Sequence, residues 1–423
     1  MTGRTHGRRR YDLVRAASRV GNVVCGVEAF ETARSLRTGW VEGRAAPVPP
    51  PTVVGGAERV LLHPAERTLI APPPRPRPPV YPYPFAHPNG APAVLERPPF
   101  GCWSLPGASW FSGLGVVFAG EHDQVLEGCF RFPLRFTRVL DTRWRTARVE
   151  RVPGAAMGLE TDFDDNHYHN LVDLGPRVAM LAHPWFRQFG GITLFSTSIG
   201  RNPVLAHLVR RLAPDDVRVV EVDDHVSIRP DVLLMPDPAM GAWDCVPSQW
   251  YLDALRRHVV DVDLAEHDAG GRGDGEPLYI SRGGAAKRRL IGEDHLIAAL
   301  TERGFRSVRT ETCDPGEIVR LMARAPAVVA MLGAGLANTL YCAPGTRVVE
   351  ISSVHHWTPE LYFIAQAAGL SFRSSVAPAG DADVSRWRGA KYHQLPHRYY
   401  RRRDADLVVD SADVCRRLDE EGP

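Results

Sequence analysis

Residues 327–351 read AVVAMLGAGLANTLYCAPGTRVVEI, which is an apolar strand, a turn with glycines, a helical stretch and a second apolar strand. Gly333 and Gly335 come directly after the first strand and open the helical stretch. Backbone N–H groups at such a helix start are predicted to face a ligand above the sheet, and a phosphate suits them best. A second interpretation stays open, in which the glycines only permit a tight turn.

The alternation of strand and helix continues over residues 278–375, where four strand–helix units can be read. LYIS is followed by EDHLIAALTERG, FRSV by DPGEIVRLMARAP, AVVAML by GAGLANTLYCAP and RVVEI by PELYFIAQAAG. This alternation predicts an α/β fold with parallel strands covered by helices. Ligands of such sheets lie at the carboxyl ends of the strands.

Two more features lie at predicted strand ends. Ser281 and Arg282 follow LYIS, with Lys287 close behind. A guanidinium can bind two phosphate oxygens, and a serine hydroxyl can add a donor beside it. Glu350 stands at the end of RVVEI, where a carboxylate can accept hydrogen bonds from ribose hydroxyls. A solvated charged loop is the alternative for the later residues of RGGAAKRR.

The composition is that of a globular protein, since 44% of the 423 residues are apolar and 24% are charged. This length favours two domains. The formal net charge of +2 gives no electrostatic reason to expect a nucleic acid as partner. The cysteines are scattered without a CxxC pair, which predicts reduced thiols in a cytosol and no zinc site. The near absence of lysine is a hint of a GC-rich bacterial source.

No apolar run approaches the ~18 residues that a membrane span needs. The basic start, MTGRTHGRRR, lacks the apolar core of a signal peptide. We therefore expect a cytoplasmic protein without a transmembrane segment. Peripheral association with a membrane stays open.

The domain organisation follows from changes in composition along the chain. An amphipathic helix near the N-terminus precedes a Pro-rich region over residues 47–99, which favours extended chain. The segment EHDAGGRGDGEP is rich in glycine and charge, so it is the best domain boundary. The predicted divisions are an extension (1–99), a first α/β domain (100–265), a linker (266–277), a second α/β domain (278–375) and a tail packing back on the first domain (376–423).

A metal site is the first alternative for the stretch TDFDDNHYHN. His167 and His169 stand two apart, and Asp162, Asp164 and Asp165 precede them. Residues two apart on a helix do not share a face, and zinc sites usually recruit a third ligand at recognisable spacing. An acidic helix start that the dipole favours is the simpler interpretation. We expect no metal; a metal-dependent hydrolase would lose its activity to a chelator.

Four segments together, YISRGGAAKRR, the glycine loop with Asn338, APGTRVVEI and AQAAGLSF, resemble the C-terminal half of glycosyltransferase family 61. That family includes bacterial capsular-polysaccharide enzymes. Upstream, NHYHNLVDLGPRVAML is similar to the family's helix with a histidine, an aspartate and a Pro-Arg pair. His169, Asp173 and Arg177 occupy the family's positions on this match, and Asn170 replaces a usual tryptophan.

The resemblance implies a GT-B architecture, in which a first Rossmann-like domain binds the acceptor and a second, facing domain binds a nucleotide sugar. It implies an inverting glycosyltransferase without metal or other cofactor, with a UDP-sugar as expected donor and a glycan as acceptor. The residues expected to bind the donor are Ser281, Arg282, Gly333, Ala334, Gly335, Asn338 and Glu350, with support from Arg177 and Lys287.

Inverting transfer needs a base for the acceptor proton and positive charge for the departing diphosphate. His169 and Asp173, four apart, share one helical face, so the carboxylate can orient the imidazole or serve as the base itself. Spacing alone leaves that choice open.

Leu332 is the departure from the family, which usually has histidine immediately before the first glycine. Leucine can donate no hydrogen bond to a phosphate. Either another group compensates, with Arg282, His355 and His356 as candidates, or the protein is a slow enzyme or a catalytically impaired nucleotide- or glycan-binding protein. The retained His169 favours an active enzyme.

Overall fold

The computed structural model describes residues 54–70, 93–97, 99–112, 115–119, 124–125, 147–160, 166–237, 247–267, 270–285, 288–353, 360–377 and 406–420. The predicted N-terminal helix and most of the Pro-rich region lie outside these residues, as do Asp162, Asp164, Asp165, Lys287, His355 and His356.

Eleven strands precede residue 240 in the described part of the chain. They are β1 (Glu58–His63), β2 (Glu66–Ile70), β3 (Ala93–Arg97), β4 (Phe100–Pro106), β5 (Ser109–Phe111), β6 (Val116–Ala119), β7 (Gln124–Val125), β8 (Arg148–Gly158), β9 (Ile192–Ser196), β10 (Val217–Glu221) and β11 (Val226–Pro236).

Nine of these strands form one mixed sheet, whose main path is β10-β9-β8-β11-β5-β6-β7. β10, β9, β8 and β11 are mutually parallel, whereas β4 and β5 run antiparallel along different parts of β11. A turn at Gly107, whose φ is +70°, separates β4 from β5. The predicted parallel strands are therefore present in this part of the chain, but the sheet is mixed, because short turns add antiparallel strands without a crossover helix.

The sheet also continues upstream of residue 100, since β1 pairs with β4. The helical segments of this part then cover it. They are α1 (His167–His169), a π turn (Asn170–Leu174), α2 (Gly175–Ala179), 3₁₀ turns (Met180–Ala182, Pro184–Phe189 and Ile199–Arg201), α3 (Pro203–Leu212), α4 (Gln249–Ala254), a second π turn (Leu255–Val260) and α5 (Asp261–Glu266).

The second part of the chain contains the strands and helices of the four predicted units, together with strands at 290–291, 371–377 and 407–408 and a helix at 411–419 that those units do not include. The strands are β12 (Leu278–Ile280), β13 (Leu290–Ile291), β14 (Arg306–Val308), β15 (Ala327–Met331), β16 (Arg347–Ser353), β17 (Ser371–Ala377) and β18 (Leu407–Val408). The helical segments are α6 (Glu293–Thr301), a 3₁₀ turn (Thr310–Thr312), α7 (Pro315–Arg324), a 3₁₀ helix (Ala334–Tyr341), α8 (Glu360–Ala368) and α9 (Ser411–Asp419).

Five of these strands form a parallel sheet in the order β14-β12-β15-β16-β17. The prediction of an α/β fold with parallel strands is confirmed here. All five residues of β15 are buried, as in parallel sheets that helices cover on both faces. The GT-B arrangement of two facing domains stays a prediction.

One face of the parallel sheet and the helices of the first part share a single apolar core, which includes Val328, Val348 and Leu171. The other face carries Val329 and packs against Val414 of α9. The prediction that the tail packs back on the first domain is therefore wrong for its described residues, because the apolar stripe of α9 covers the second sheet. No helix among the described residues is long and apolar enough to cross a membrane.

Candidate functional site

The first half of the site is the acid–base segment, defined as residues 166–177, which follows β8 after a short gap in the described chain. Asn166 caps it, since its Oδ1 accepts a hydrogen bond from the N–H of Tyr168 at 3.0 Å. His169 Nδ1 and Asp173 Oδ2 lie 2.6 Å apart. Their side chains are only 12% and 10% exposed, so the structure brings together the two residues that the spacing predicted to share a face.

Tyr251 of α4 packs against this segment and hydrogen-bonds to its backbone. Its hydroxyl donates to the carbonyl of Leu171 at 2.5 Å, and it lies where a side chain at Gly175 would be. A Cβ at Gly175 would stand 2.0 Å from the Tyr251 hydroxyl oxygen. Burial, with a contribution from the charge of Asp173, raises the pKa of Tyr251 well above its usual value. Sequence reasoning missed Tyr251, although a glycine inside a helical segment signals a close contact.

Arg177 anchors the far end of the segment. Its Nη1 donates to the backbone carbonyl of Glu160 at 3.2 Å, immediately after β8. Glu160 is itself buried, and its Oε1 accepts from the hydroxyl of Thr197 at 3.4 Å. Arg177 therefore connects the acid–base segment to the carboxyl ends of β8 and β9.

An open pocket lies beside this connection, where β9 and β10 end. Its volume is about 750 Å³, and most of the side chains around it are polar or charged. The lining residues are Arg148, Glu150, Thr197, Arg201, Val220, Glu221, Val222, Asp223, Asp224 and Val226. Carboxylates and guanidinium groups suit the hydroxyls of a carbohydrate, because both form strong directional hydrogen bonds.

The second half of the site is the glycine loop, defined as residues 332–341, between β15 and the end of the following 3₁₀ helix. The helix after the glycines is 3₁₀ where the sequence predicted an ordinary helix. Gly333 has extended backbone that any residue can adopt, so its conformation does not explain the glycine. A Cβ at Gly333 would stand 2.8 Å from Nη1 of Arg282, so a larger residue here would require the end of that side chain to shift.

Arg282 therefore lies against the backbone of the glycine loop, as a phosphate-binding residue should. Its Nε donates to the carbonyl of Arg288 at 3.2 Å, which fixes the direction of the side chain. Burial lowers the pKa of Arg282, while the carboxylates of Glu311 and Glu293 oppose that shift. The side chain thus stays cationic at neutral pH.

Glu293, at the first turn of α6, organises this corner and was missed by sequence reasoning. Its Oε1 accepts hydrogen bonds from the hydroxyl of Tyr279, the hydroxyl of Ser281 and the N–H of Arg282, at 2.8, 2.9 and 2.9 Å. The Ser281 oxygen also accepts from the N–H of Gly283 at 3.1 Å. The serine therefore shapes the turn that presents Arg282, and its proton is already donated to Glu293.

Leu332 is buried, with 4% of its surface exposed. Its N–H donates to the carbonyl of Ile351 at 2.8 Å, and its carbonyl accepts from Arg288 Nη1 at 3.3 Å. The side chain packs in the shared apolar core with Leu336. The position thus contributes apolar packing to the loop and no side-chain hydrogen bond.

A hydrogen bond joins the two halves of the site. Nε2 of His167 lies 2.7 Å from Oδ1 of Asn338, and Nδ2 of Asn338 donates to the carbonyl of Gly335 at 2.9 Å. Asn338 is 1% exposed, so it binds the protein and reaches a ligand only through the loop that it shapes. Burial lowers the pKa of His167, and the bond to Asn338 opposes that shift in part.

Glu350 differs from the prediction in its surroundings. β16 continues to Ser353, so Glu350 lies inside the strand, between Ala330 and Ser374 of the neighbouring strands. It is 0% exposed, and neither carboxyl oxygen has a hydrogen-bond partner among the residues that the structure describes. Burial, together with Glu360, raises its pKa to about 8. Contact with a ribose therefore remains a prediction that requires this side chain to become accessible.

Among the described residues no group of three or more histidines, cysteines or acids is arranged to hold a metal ion. The acidic residues of the alternative metal site lie outside those residues, whereas its two histidines, His167 and His169, lie within them. These two side chains have different partners, Asn338 and Asp173, and do not converge.

Residues 168–349 match the family model described as Glycosyltransferase 61. The match includes the acid–base pair, the corner of Arg282 and the whole glycine loop. It confirms the resemblance that the sequence motifs indicated. No curated protein matches the chain.

Proposed function

We propose that this chain, which belongs to glycosyltransferase family 61 through residues 168–349, is an inverting, metal-independent transferase of surface or exported polysaccharide biosynthesis. Membership makes it a glycosyltransferase with donor and acceptor substrates. The proposal adds the mechanism, the nucleotide-sugar donor and the glycan acceptor.

The hydrogen bond between His167 and Asn338 carries the proposal. It supports a site in which the acid–base segment and the glycine loop act on one substrate, because the bond joins them directly. A base and a diphosphate-binding loop at the same place are what glycosyl transfer from a nucleotide sugar requires.

His169 serves as the base in this mechanism, and Asp173 orients it. The carboxylate accepts the Nδ1 proton at 2.6 Å, an assignment that leaves Nε2 of the ring as the proton acceptor. Nε2 takes the proton of the acceptor hydroxyl as its oxygen bonds to the anomeric carbon. The bond from that carbon to the diphosphate oxygen breaks on the opposite side, which inverts the configuration.

Positive charge at the glycine loop stabilises the departing diphosphate. The guanidinium of Arg282 lies against Gly333, and the 3₁₀ helix begins at Ala334, where backbone N–H groups of a helix start suit a phosphate. Backbone donors and a fixed cation stabilise developing negative charge without a metal ion. The pocket beside Thr197 is the proposed position of the glycan acceptor.

Leu332 favours a second candidate, a catalytically impaired nucleotide- or glycan-binding protein of the same fold. Its apolar side chain is buried in the core and offers no donor to a phosphate, and removal of one such donor lowers rates by ~10²–10³ in other enzymes. The two candidates share nucleotide binding and differ in turnover.

The test is calorimetric titration of the full chain with UDP, GDP, dTDP and CMP, each with and without EDTA. We expect one nucleotide to bind with an affinity that EDTA leaves unchanged. The matching nucleotide sugar is then incubated with glycan acceptors, and release of the nucleotide product is measured. Binding with release supports the transferase, and binding without release supports the second candidate. Loss of binding in EDTA contradicts the metal-independent mechanism.

A further inference from the structure

His167 is the histidine of the acid–base segment that the mechanism above does not use. It stands two residues before His169, so its side chain takes a different direction from the acid–base pair. His169 bonds within its own segment to Asp173, whereas His167 crosses to the glycine loop.

The hydrogen-bond network assigns the direction of the bond between His167 and Asn338. Nδ2 of Asn338 donates to the Gly335 carbonyl, so its Oδ1 faces the imidazole and Nε2 of His167 is the donor. Asn338 is almost completely buried. Without His167 its carbonyl oxygen would lose this partner in a place that water does not fill freely.

The position of this bond matters because both of its residues are close in sequence to groups that the proposed reaction uses. His167 stands two positions before the base His169, and Asn338 stands three positions after Gly335 of the glycine loop. Catalytic groups must be held within about 0.5 Å of their productive geometry, and a fixed hydrogen bond between two elements is a means of doing so. The side chain of Leu332 packs in the apolar core and makes no hydrogen bond to the loop.

We infer that His167 is a positioning residue of the transfer reaction, which holds the glycine loop in register with His169 through Asn338. This inference rests on the proposed function. His167 thereby brings an imidazole from the acid–base segment to the glycine loop. Position 332 of the loop supplies none, because it is a leucine. The imidazole of His167 affects the rate of the chemical step because it fixes the position of the base relative to the leaving group.

The test compares His167→Phe, which keeps a ring without the donor, with His167→Gln, whose amide nitrogen can reach the place of Nε2. Nucleotide-sugar turnover, with water or glycan as acceptor, is measured as nucleotide release over a range of donor concentrations. We expect His167→Phe to lower kcat about 10- to 100-fold with donor KM within about 3-fold. His167→Gln should recover most of that loss. His295→Phe, at an exposed histidine of α6, is the matched control and should behave like the unmodified protein.

A double-mutant cycle protects the test against a folding defect. If the two side chains act through each other, the double variant should lose no more kcat than Asn338→Ala alone, which also removes the bond to the Gly335 carbonyl. Equal kcat for His167→Phe and the unmodified protein, or losses that multiply in the double variant, would overturn the inference. An unmodified protein that neither binds a nucleotide nor releases one would instead contradict the proposed function itself.

Discussion

The acid–base segment and the parallel sheet below the glycine loop each bury one carboxyl group, and the two groups differ in their hydrogen-bond partners. Asp173 has an imidazole partner at 2.6 Å, and its side chain is 10% exposed. Glu350 is 0% exposed, and within the described part of the chain its oxygens have no hydrogen-bond partner. A buried carboxylate with a partner can stay charged for catalysis, whereas one without a partner is neutralised by its surroundings.

The sharpest way to break this comparison is Asp173→Asn, because it removes only the charge that orients His169. We expect turnover to fall by about 10²–10⁴, the usual contribution of acid–base catalysis. Nucleotide affinity should change less than about 2-fold, since the glycine loop is untouched. The control is Asp253→Asn, at a half-exposed acid of α4. Turnover that persists unchanged would remove Asp173 from the mechanism.

Glu350→Gln tests the other member of the pair. Its pKa of about 8 in the folded protein exceeds the usual 4.5, so the folded state binds the proton more tightly than the unfolded state. The free energy of unfolding should therefore fall as pH rises from about 4.5 to about 8, by on the order of 5 kcal/mol over this window, and then level off.

The glutamine variant lacks this titration. In urea unfolding at pH 5, 7 and 9, its free energy of unfolding should therefore rise relative to that of the unmodified protein up to about pH 8. Glu302→Gln, at an exposed acid after α6, should show no such trend. Parallel pH profiles for Glu350→Gln and the unmodified protein would contradict the view that Glu350 is buried without a partner. Weaker nucleotide binding by Glu350→Gln would support the predicted contact with the ribose.

Gly175→Ala sharpens the comparison because it disturbs the packing of Tyr251 against the segment that carries Asp173. The new Cβ would stand 2.0 Å from the hydroxyl oxygen of Tyr251, which is fully buried and cannot move away. We expect the free energy of unfolding to decrease by about 2 kcal/mol, as for other overpacked sites. Gly55→Ala has open space around its Cβ and should be nearly neutral. Equal stability of the two variants would show that Tyr251 is not a rigid support.

Arg282→Ala has the smallest expected effect and probes the loop alone. We expect nucleotide affinity to fall about 10-fold, the loss typical of one charged hydrogen-bond donor. Arg303→Ala removes an exposed arginine that pairs with Asp419 and serves as the calorimetric control. If Arg282→Ala binds the nucleotide as tightly as Arg303→Ala, the phosphate-binding role of Arg282 is wrong.

The second sheet could be predicted almost completely from the sequence. Each predicted strand and helix occurs in a window of about ten residues with a single periodicity, from LYIS to PELYFIAQAAG. The first sheet could not, because β4 and β5 are antiparallel neighbours of β11, more than a hundred residues away. Nothing in the local pattern of these strands states which strand they will pair with.

The sequence by itself determined the parallel sheet, the glycine loop that follows β15 and the spacing that joins His169 to Asp173. These depend on backbone periodicity and on contacts within one helical turn, which neighbouring residues fix. Only the tertiary structure decided that His167 bonds to Asn338, that Tyr251 fills the place beside Gly175 and that Glu350 is closed off from solvent. Such contacts join residues far apart in the chain, and packing decides them because burial leaves each polar atom only the partners that happen to be near.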